Sequence, residues 1–191
     1  MSDVILYLIL ILIFLFFVIK QKVLKRISKN EIIIIILAVF ITLIVLTLGT
    51  DIFSFFKVMN IDKYNNEMKK VISFSSKLET LIIVGFLSPI LEEMTFRFVL
   101  IKTLRKAFKK LRYEEAFLII NSSILFGLIH NVTEQKIQSL IAGIILGILY
   151  LYKIEIKNHK ISFIKDTNLT RPILFHILFN LLNIINYIIN Y

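Results

Sequence analysis

The chain has 191 residues, of which 58% are hydrophobic and 19% are charged, and its formal net charge is +10 at pH 7. The length suits one domain, but a mean hydropathy of +0.84 is too high for an ordinary soluble domain, in which roughly half of the residues are apolar. The composition therefore predicts a membrane protein. Because the sequence contains no cysteine, disulfide bonds, thiolate nucleophiles and thiolate metal sites are excluded.

Six apolar stretches are long enough, or nearly so, to cross a hydrocarbon core of about 30 Å. They lie at residues 4–19, 32–50, 78–101, 116–131, 137–152 and 172–189. This pattern predicts an all-α fold, a polytopic transmembrane helical bundle of about six spans. The first stretch follows no basic segment and precedes no small-residue cleavage site, so we expect a retained anchor and not a cleaved signal peptide.

No internal repeat, coiled-coil pattern or linker rich in Gly and Ser divides the chain. We therefore expect one integral domain with two parts. Residues 1–77 comprise N-terminal anchor spans and an interfacial segment, 51–77, which mixes charged and apolar residues as surface-lying amphipathic stretches do. Residues 78–191 form the membrane core, which carries the polar motifs described below.

The positive charge is concentrated in three loops between the apolar stretches. Loops 20–30, 102–112 and 153–171 hold 16 Lys and Arg residues, whereas the intervening loops 51–77 and 131–136 hold six. The positive-inside rule places the three basic loops in the cytoplasm and both termini outside. Topology and anionic lipid explain this charge. Nucleic-acid binding is not expected, because neither an aromatic-studded sheet nor a basic reading helix accompanies the charge.

Three ionisable residues interrupt the third apolar stretch, where charged side chains are costly and usually functional. Glu93 and Arg97 are four residues apart, so they share one helical face and can neutralise each other. Glu92 lies about 100° around the helix from Glu93 and lacks that partner. A carboxylate without a cation in an apolar setting is suited to act as a general base. A packing network between helices remains the alternative for all three residues.

The histidines differ in their surroundings. His130 lies at the end of the fourth stretch, one turn after Phe126, although a single histidine at such a place is commonly an interfacial hydrogen-bonding residue. In the last stretch, His176 and Asn180 are one turn apart and therefore face the same neighbour. His159 lies in a polar loop and is expected to be solvated.

These residues form three motifs on separate apolar stretches, in the order EExxxR (92–97), FxxxH (126–130) and HxxxN (176–180). In this order they resemble the CPBP family, which contains the type II CAAX prenyl endopeptidases and bacterial relatives linked to bacteriocin maturation or self-immunity. The resemblance covers about residues 78–183. Two features depart from the family pattern. Phe98 replaces a usually small residue, and the connection 153–171 is longer and more charged than expected.

The resemblance implies an intramembrane glutamic endopeptidase of a bacterial plasma membrane, acting on a membrane-associated substrate that is prenylated or bacteriocin-like. It assigns Glu92 and His130 to activating a water molecule. It assigns His176 and Asn180 to stabilising the oxyanion of the tetrahedral intermediate. Three further residues are expected to hold these groups in position: Glu93, Arg97 and Phe126. The expected partners are a peptide or protein substrate and the lipid bilayer.

Two alternatives remain open at this level. Two histidines and a glutamate also form the ligand set of hydrolytic zinc sites, but the HExxH motif is absent and asparagine is a poor zinc ligand, so no cofactor is expected. The alternative function is a non-enzymatic membrane self-immunity or chaperone protein that keeps the motif residues for packing. A small transporter is less favoured, because no pair of stretches forms an inverted repeat.

Spacing also predicts how deep each motif lies in the membrane. If the chain turns near Leu111, Glu92 and His130 are equally far from the turn, and an antiparallel helical pair would hold them level. His176 is only four residues beyond Pro172, near the expected cytoplasmic surface. Either the loop before Pro172 dips inward, or the boundaries of the fifth and sixth stretches are wrong.

Overall fold

A computed structural model describes most of the chain. It covers residues 9, 11–12, 16, 19–55, 66, 77–109, 111–130, 133–157 and 160–190. Most of the first apolar stretch, most of the interfacial segment and His159 lie outside the described residues. The described part is mainly helical and contains one β-hairpin.

Seven α-helical segments and two strands follow in chain order within the described residues. They are α1 (Lys29–Phe55), α2 (Lys77–Ile82), α3 (Ser88–Glu93), α4 (Ile101–Ala107), α5 (Glu114–Leu128), α6 (Thr133–Leu151), β1 (Tyr152–Lys157), β2 (Lys160–Lys165) and α7 (Thr170–Asn190). The π-helical segments Ile83–Leu87 and Met94–Leu100 join α2 to α3 and α3 to α4. The junction residues all have right-handed helical backbone angles. Residues 77–107 are therefore one continuous helix, which we call the motif helix.

Five of the six predicted stretches coincide with helices. Among the described residues, α1 alone is long and apolar enough to cross a membrane, over Lys29–Gly49. Shorter apolar helical stretches lie in α6 and α7, over Gln135–Leu151 and Thr170–Ile185. The motif helix and α5 cover the third and fourth predicted stretches. The prediction of a mostly helical membrane fold is supported, while the count of six spans stays a prediction.

The all-α prediction is wrong in the connection between α6 and α7. Strands β1 and β2 pair antiparallel there, with Tyr152 opposite Lys165 and Lys157 opposite Lys160. The sequence YKIEIK alternates polar and apolar residues with the two-residue period of a strand, and KISFIK does so as far as Phe163. The connection that is longer than expected is therefore a hairpin.

Helices α5 and α6 approach closely because small residues line their contact. Gly143 and Gly147 lie one turn apart on α6. A methyl group added at Gly143 would lie 3.0 Å from Cβ of Ser123, and one at Gly147 would lie 3.1 Å from Cγ2 of Ile119. Small residues four apart allow such close approach between membrane helices. This contact holds α5, which ends two residues before His130, against α6.

The three predicted basic loops share one end of the bundle. Lys102 donates a hydrogen bond to the side chain of Gln21, and the amide of Leu169 donates to the carbonyl of Val23 at 3.0 Å. Loop 20–30 therefore contacts both loop 102–112 and loop 153–171. We call this end, formed by loops 20–30, 102–112 and 153–171, the basic face.

The loop before α7 dips into the protein, which resolves the position of His176. Asn168, Leu169, Arg171 and Pro172 are all buried, although they follow the exposed strand β2. Helix α7 therefore begins inside the bundle and not at its surface. Of the two alternatives that spacing leaves open, the inward loop is the one observed.

Phe98, which departs from the family pattern, belongs to the core. It is buried in a cluster with Met94, Ile101 and Leu118. Lys102 lies with its ammonium group 5.4 Å from the centre of the Phe98 ring. The larger residue therefore fills space between the motif helix and α5, away from the polar motifs.

Candidate active site

A cavity of about 190 Å³ lies between the motif helix, α5, α6 and α7. Its walls include all four residues that the motifs assign to chemistry: Glu92, His130, His176 and Asn180. Other polar groups also line it, namely Ser88, Gln135, Gln138, Ser139 and Asn183. Glu92 and His130, which spacing predicts to lie level, both line this cavity.

A proline shapes the wall that carries Asn180. The amide of Ser88 donates to the carbonyl of Ile83, five residues back. The next donor in this register would be the nitrogen of Pro89, which carries no hydrogen. The carbonyl of Val84 therefore needs another donor, and Asn180 Nδ2 donates to it at 2.9 Å. An amide group has two N–H bonds, so this contact uses one and fastens α7 to the motif helix.

The predicted pairing of Glu93 with Arg97 is confirmed. Both side chains are 0% exposed, and Arg97 Nε lies 3.1 Å from Glu93 Oε2. Arg97 Nη1 donates to Ser122 Oγ at 3.2 Å, and the guanidinium carbon lies 5.3 Å from the centre of the Phe126 ring. The Nε and Nη2 donors have no aligned hydrogen-bond partner among the described residues. Charge attraction in a dry site is thus the main link within the pair.

Glu93 also holds His176, a contact that the sequence did not predict. His176 Nδ1 lies 3.1 Å from Glu93 Oε1. An ionised carboxylate can only accept, so Nδ1 carries the hydrogen. The other ring nitrogen, Nε2, lies 3.6 Å from Glu92 Oε2. In the neutral ring Nε2 accepts, and it becomes a donor to an oxyanion only after taking up a proton.

Glu92 differs from the expected isolated carboxylate. Its side chain is 23% exposed, and Ser88 Oγ donates to Oε1 at 2.6 Å. The half-buried position at the cavity wall suits a general base, which must reach the water that it deprotonates. Glu93, which is fully buried and paired with Arg97, lacks that access.

His130 is oriented by two hydrogen bonds at the end of α5. Nδ1 donates to the carbonyl of Phe126 over 3.0 Å, since a carbonyl can only accept. Nε2 must then accept in the neutral ring, and Ser139 Oγ lies 3.1 Å from it. Sequence reasoning missed Ser139, because it lies on α6 and belongs to no motif. Ser88 was detectable, since it lies one turn before Glu92.

Phe126 separates the two motif histidines. Its ring centre lies 5.4 Å from that of His130 and 5.7 Å from that of His176, nearly perpendicular to both. Phe96 adds a further edge contact at 5.2 Å. The aromatic residue of the FxxxH motif therefore fixes the spacing of both imidazoles, which agrees with the supporting position expected for it.

The contacts of the ring nitrogens bear on metal binding. Among the residues that the structure describes, no three His, Asp or Glu side chains form a group that could hold a metal ion. Nδ1 of each motif histidine is engaged by a protein acceptor, and Nε2 of His130 by Ser139. A zinc ion bound by both rings would have to displace Ser139 from His130.

The family model of the type II CAAX prenyl endopeptidase Rce1-like proteins matches residues 74–182, more than half of the chain. The chain belongs to this family. The match confirms the resemblance to the CPBP endopeptidases and includes the three motifs. Neither the curated proteins nor the solved structures contain a match.

Family membership defines the general activity. The Rce1-like family is a protease family, so the protein is a membrane peptidase with a protein or peptide substrate at the membrane. The matched residues contain nearly all of the cavity wall, including the four motif side chains. The anchor helix α1 lies before the match.

Proposed function

We propose that the protein is an intramembrane glutamic endopeptidase that hydrolyses a peptide bond of a membrane-associated substrate, prenylated or bacteriocin-like. One observation carries the proposal: residues from three distant motifs line the same 190 Å³ cavity. Peptide hydrolysis needs a base for the water, donors for the oxyanion and an acid for the leaving amine. The cavity wall contains side chains for all three tasks.

In the proposed mechanism, Glu92 takes a proton from a water molecule as its oxygen attacks the scissile carbonyl carbon. His130 orients that water through Nε2, where the water replaces the Ser139 hydroxyl. The negative charge that develops on the carbonyl oxygen is stabilised by Asn180 and by protonated His176. The buried Glu93 orients His176 through the contact between Oε1 and Nδ1. The proton held by Glu92 then passes to the amine nitrogen as the C–N bond breaks.

We propose that this hydrolysis needs no metal. The hydrogen bond between Ser139 Oγ and Nε2 of His130 supports this, because zinc bound at that nitrogen would have to displace it. Dialysis of the purified protein against a chelator is expected to leave activity unchanged. Loss of activity on chelation, with recovery on adding zinc and stoichiometric metal by elemental analysis, would reassign both histidines as ligands.

The experiment that tests the function compares wild type with Glu92→Gln in proteoliposomes that contain farnesylated or unmodified reporter peptides. Cleavage by wild type and none by the variant is expected, while Glu115→Gln at the start of α5, away from the cavity wall, serves as an isosteric control. The inactive variant also allows a trapped natural substrate to be co-purified. In cells, full protection against a bacteriocin by Glu92→Gln would favour the non-enzymatic immunity function.

We further propose that the membrane is a bacterial plasma membrane, with the basic face in the cytoplasm and both termini outside. The supporting observation is that loop 20–30 contacts both loop 102–112 and loop 153–171, the loops that the positive-inside rule assigns to the same side as 20–30. Because the chain has no cysteine, single cysteines at Lys109 and Asn190 give clean labelling sites. A membrane-impermeant maleimide added to intact cells should label only the Asn190 site. Labelling of the Lys109 site alone would invert the orientation.

A further inference from the structure

The β-hairpin has one continuous apolar face. Ile154 is opposite Phe163, and Ile156 is opposite Ile161. Paired residues share a face, as do alternate residues of one strand, so these four side chains lie together. Towards the turn they are strongly exposed: Ile156 by 57%, Ile161 by 64% and Phe163 by 58%. A contiguous exposed apolar cluster of this kind marks an interaction surface.

The opposite face of the hairpin is mainly polar and basic, although Ile164 lies on it opposite Lys153. Lys153 and Glu155 lie on it and form an ion pair at 2.8 Å, and Ser162 is opposite Glu155. Across residues 152–165 the sequence contains four lysines and one glutamate. An element with an apolar face and a cationic face is suited to the boundary between headgroups and acyl chains.

The hairpin lies beside the start of α1, the helix best suited to span the membrane. A cavity of about 280 Å³ separates them, and its apolar walls are Ile33, Ile34 and Leu37 of α1 with Ile154 and Ile156 of β1. Polar groups also line it: Ser28, Asn30, Glu31, Lys153 and Glu155.

The residues of α1 beside the hairpin indicate how deep in the membrane the hairpin lies. Ile33 and Leu37 are 56% and 51% exposed, so they belong to the outward side of α1, which faces lipid. They follow Lys29, the start of the span, by four and eight residues, or roughly 6–12 Å along the axis. The apolar face of the hairpin thus lies level with the first turns of a spanning helix.

We propose that the hairpin is a membrane-surface anchor whose apolar face inserts beside α1 into the leaflet at the basic face, while its lysines contact anionic phospholipid headgroups. Two observations favour lipid over a protein partner. The apolar face is continuous with the lipid-facing side of α1, and its surroundings carry the positive charge that anionic lipid attracts. The proposal is independent of the peptidase mechanism.

A single tryptophan tests this proposal, because the chain contains none. Phe163→Trp places the reporter on the apolar face, and Ser162→Trp places it one residue away on the polar face. Both variants are reconstituted in vesicles of phosphatidylcholine and phosphatidylglycerol. The fluorescence of the Phe163→Trp variant should be blue-shifted and quenched by lipids brominated on the acyl chains, whereas that of the Ser162→Trp variant should be quenched by aqueous iodide.

Further arms distinguish lipid from other occupants. Replacing phosphatidylglycerol with phosphatidylcholine should weaken the brominated-lipid quenching, and Lys160→Glu should weaken it in the anionic vesicles. Iodide quenching of Phe163→Trp without brominated-lipid quenching would overturn the proposal. If iodide reached this reporter in vesicles but not in native membranes, a protein would cover the hairpin, and the lipid anchor would be wrong.

Discussion

Two buried arginines, Arg97 and Arg171, each lie beside a buried glutamate, but their hydrogen bonding differs. Arg171 Nε donates to Glu31 at 2.8 Å, Nη1 donates to backbone carbonyls, one of them that of Asp166 at 2.8 Å, and Nη2 donates to the Asp166 carboxylate. Arg97 Nη1 donates one aligned hydrogen bond, to Ser122. Arg97 Nε and Nη2 have no aligned acceptor among the described residues.

This difference separates a structural cluster from a candidate site. A buried polar group with every donor satisfied rigidifies its surroundings. A buried cation with few aligned bonds needs another explanation, and Arg97 has one: its charge balances Glu93, which in turn holds His176 at the cavity. Burial of an arginine alone therefore does not mark a functional site. In this protein the arginine with incomplete hydrogen bonding is the one whose glutamate also holds a residue of the cavity wall.

The cluster around Arg171 joins segments distant in sequence. Glu31 accepts hydrogen bonds from the amide and hydroxyl of Ser28, and Ser28 Oγ accepts one from the amide of Glu31. This reciprocal arrangement is a capping box at the start of α1. The same glutamate accepts from Arg171. The start of α1 and the start of α7 are thus fastened together at the basic face.

The largest expected effects break the site and leave the structural cluster intact. Glu92→Gln, His130→Ala and His176→Ala should each lower the hydrolysis rate by at least about 100-fold, the usual contribution of general acid–base groups. Each variant should remain folded and inserted in the membrane, as should the control Thr95→Ala at an exposed position of the motif helix. Near wild-type activity in Glu92→Gln would reject its role as general base.

Arg97→Ala should damage both activity and stability. The substitution leaves Glu93 buried without its cation, and removing one partner of a buried ion pair commonly costs roughly 3–5 kcal/mol. Adding Glu93→Gln should restore part of the stability, because no buried carboxylate is then left without its cation. It should not restore the activity, because this second substitution removes the anionic partner of His176. Unchanged thermal stability in Arg97→Ala would reject the pairing as a stabilising contact.

Arg171→Ala should lower stability without lowering activity. We expect a loss of stability of roughly 3 kcal/mol, because Glu31 and Asp166 both lose a partner, and lower protein levels in cells. The hydrolysis rate per folded molecule should stay near that of wild type, since Arg171 does not line the candidate active site. A large fall in that rate at unchanged stability would make Arg171 part of the site and remove the distinction drawn above.

Sequence reasoning reached the features that spacing along the chain determines. The four-residue spacing of Glu93 and Arg97 gave their pairing, and equal distances from a turn gave the common level of Glu92 and His130. Contacts between helices were not accessible in this way. Glu93 meets His176 across 83 positions of the chain, and no local pattern encodes that meeting.

Two misreadings have physical causes. The hairpin was missed because its lysines were counted as loop charge, although their alternation with isoleucine has the period of a strand. Arg171 was likewise counted as a loop cation, whereas the inward course of residues 166–171 buries it. Charge in a connection predicts which side of the membrane it occupies, but it does not show whether each charged group is solvated.

Ser139→Ala should have a smaller effect on the site. It removes the hydroxyl at Nε2 of His130, and one hydrogen bond is worth about 0.5–1.5 kcal/mol, so the rate should fall by roughly 2–10-fold. Ser139→Thr keeps a hydroxyl and should recover most of the rate. If both variants lowered the rate equally, packing and not orientation of the imidazole would explain the loss.

The smallest expected effect is a loss of thermal stability in acid, caused by Asp166 in the cluster around Arg171. Burial acts to raise the pKa of Asp166, but hydrogen bonds and charge from Lys25 and Arg171 outweigh it and hold the pKa below its ordinary value of 3.8. The carboxylate therefore contributes stability in full above pH 3.8, and this contribution is lost as the pH falls further towards the folded-state pKa. Thermal unfolding followed from neutral pH to about pH 3 should show this loss.

Asp166→Asn is the matched variant for that titration. It removes the titrating group and weakens the contacts of Lys25 and Arg171, so the unfolding temperature should be lower at neutral pH and should depend less on acid. Hydrolysis at neutral pH should not change, because Asp166 lies at the basic face and not on the cavity wall. An equal acid loss in the variant would assign the titration to another carboxylate, and reduced hydrolysis per folded molecule would couple the basic face to the site.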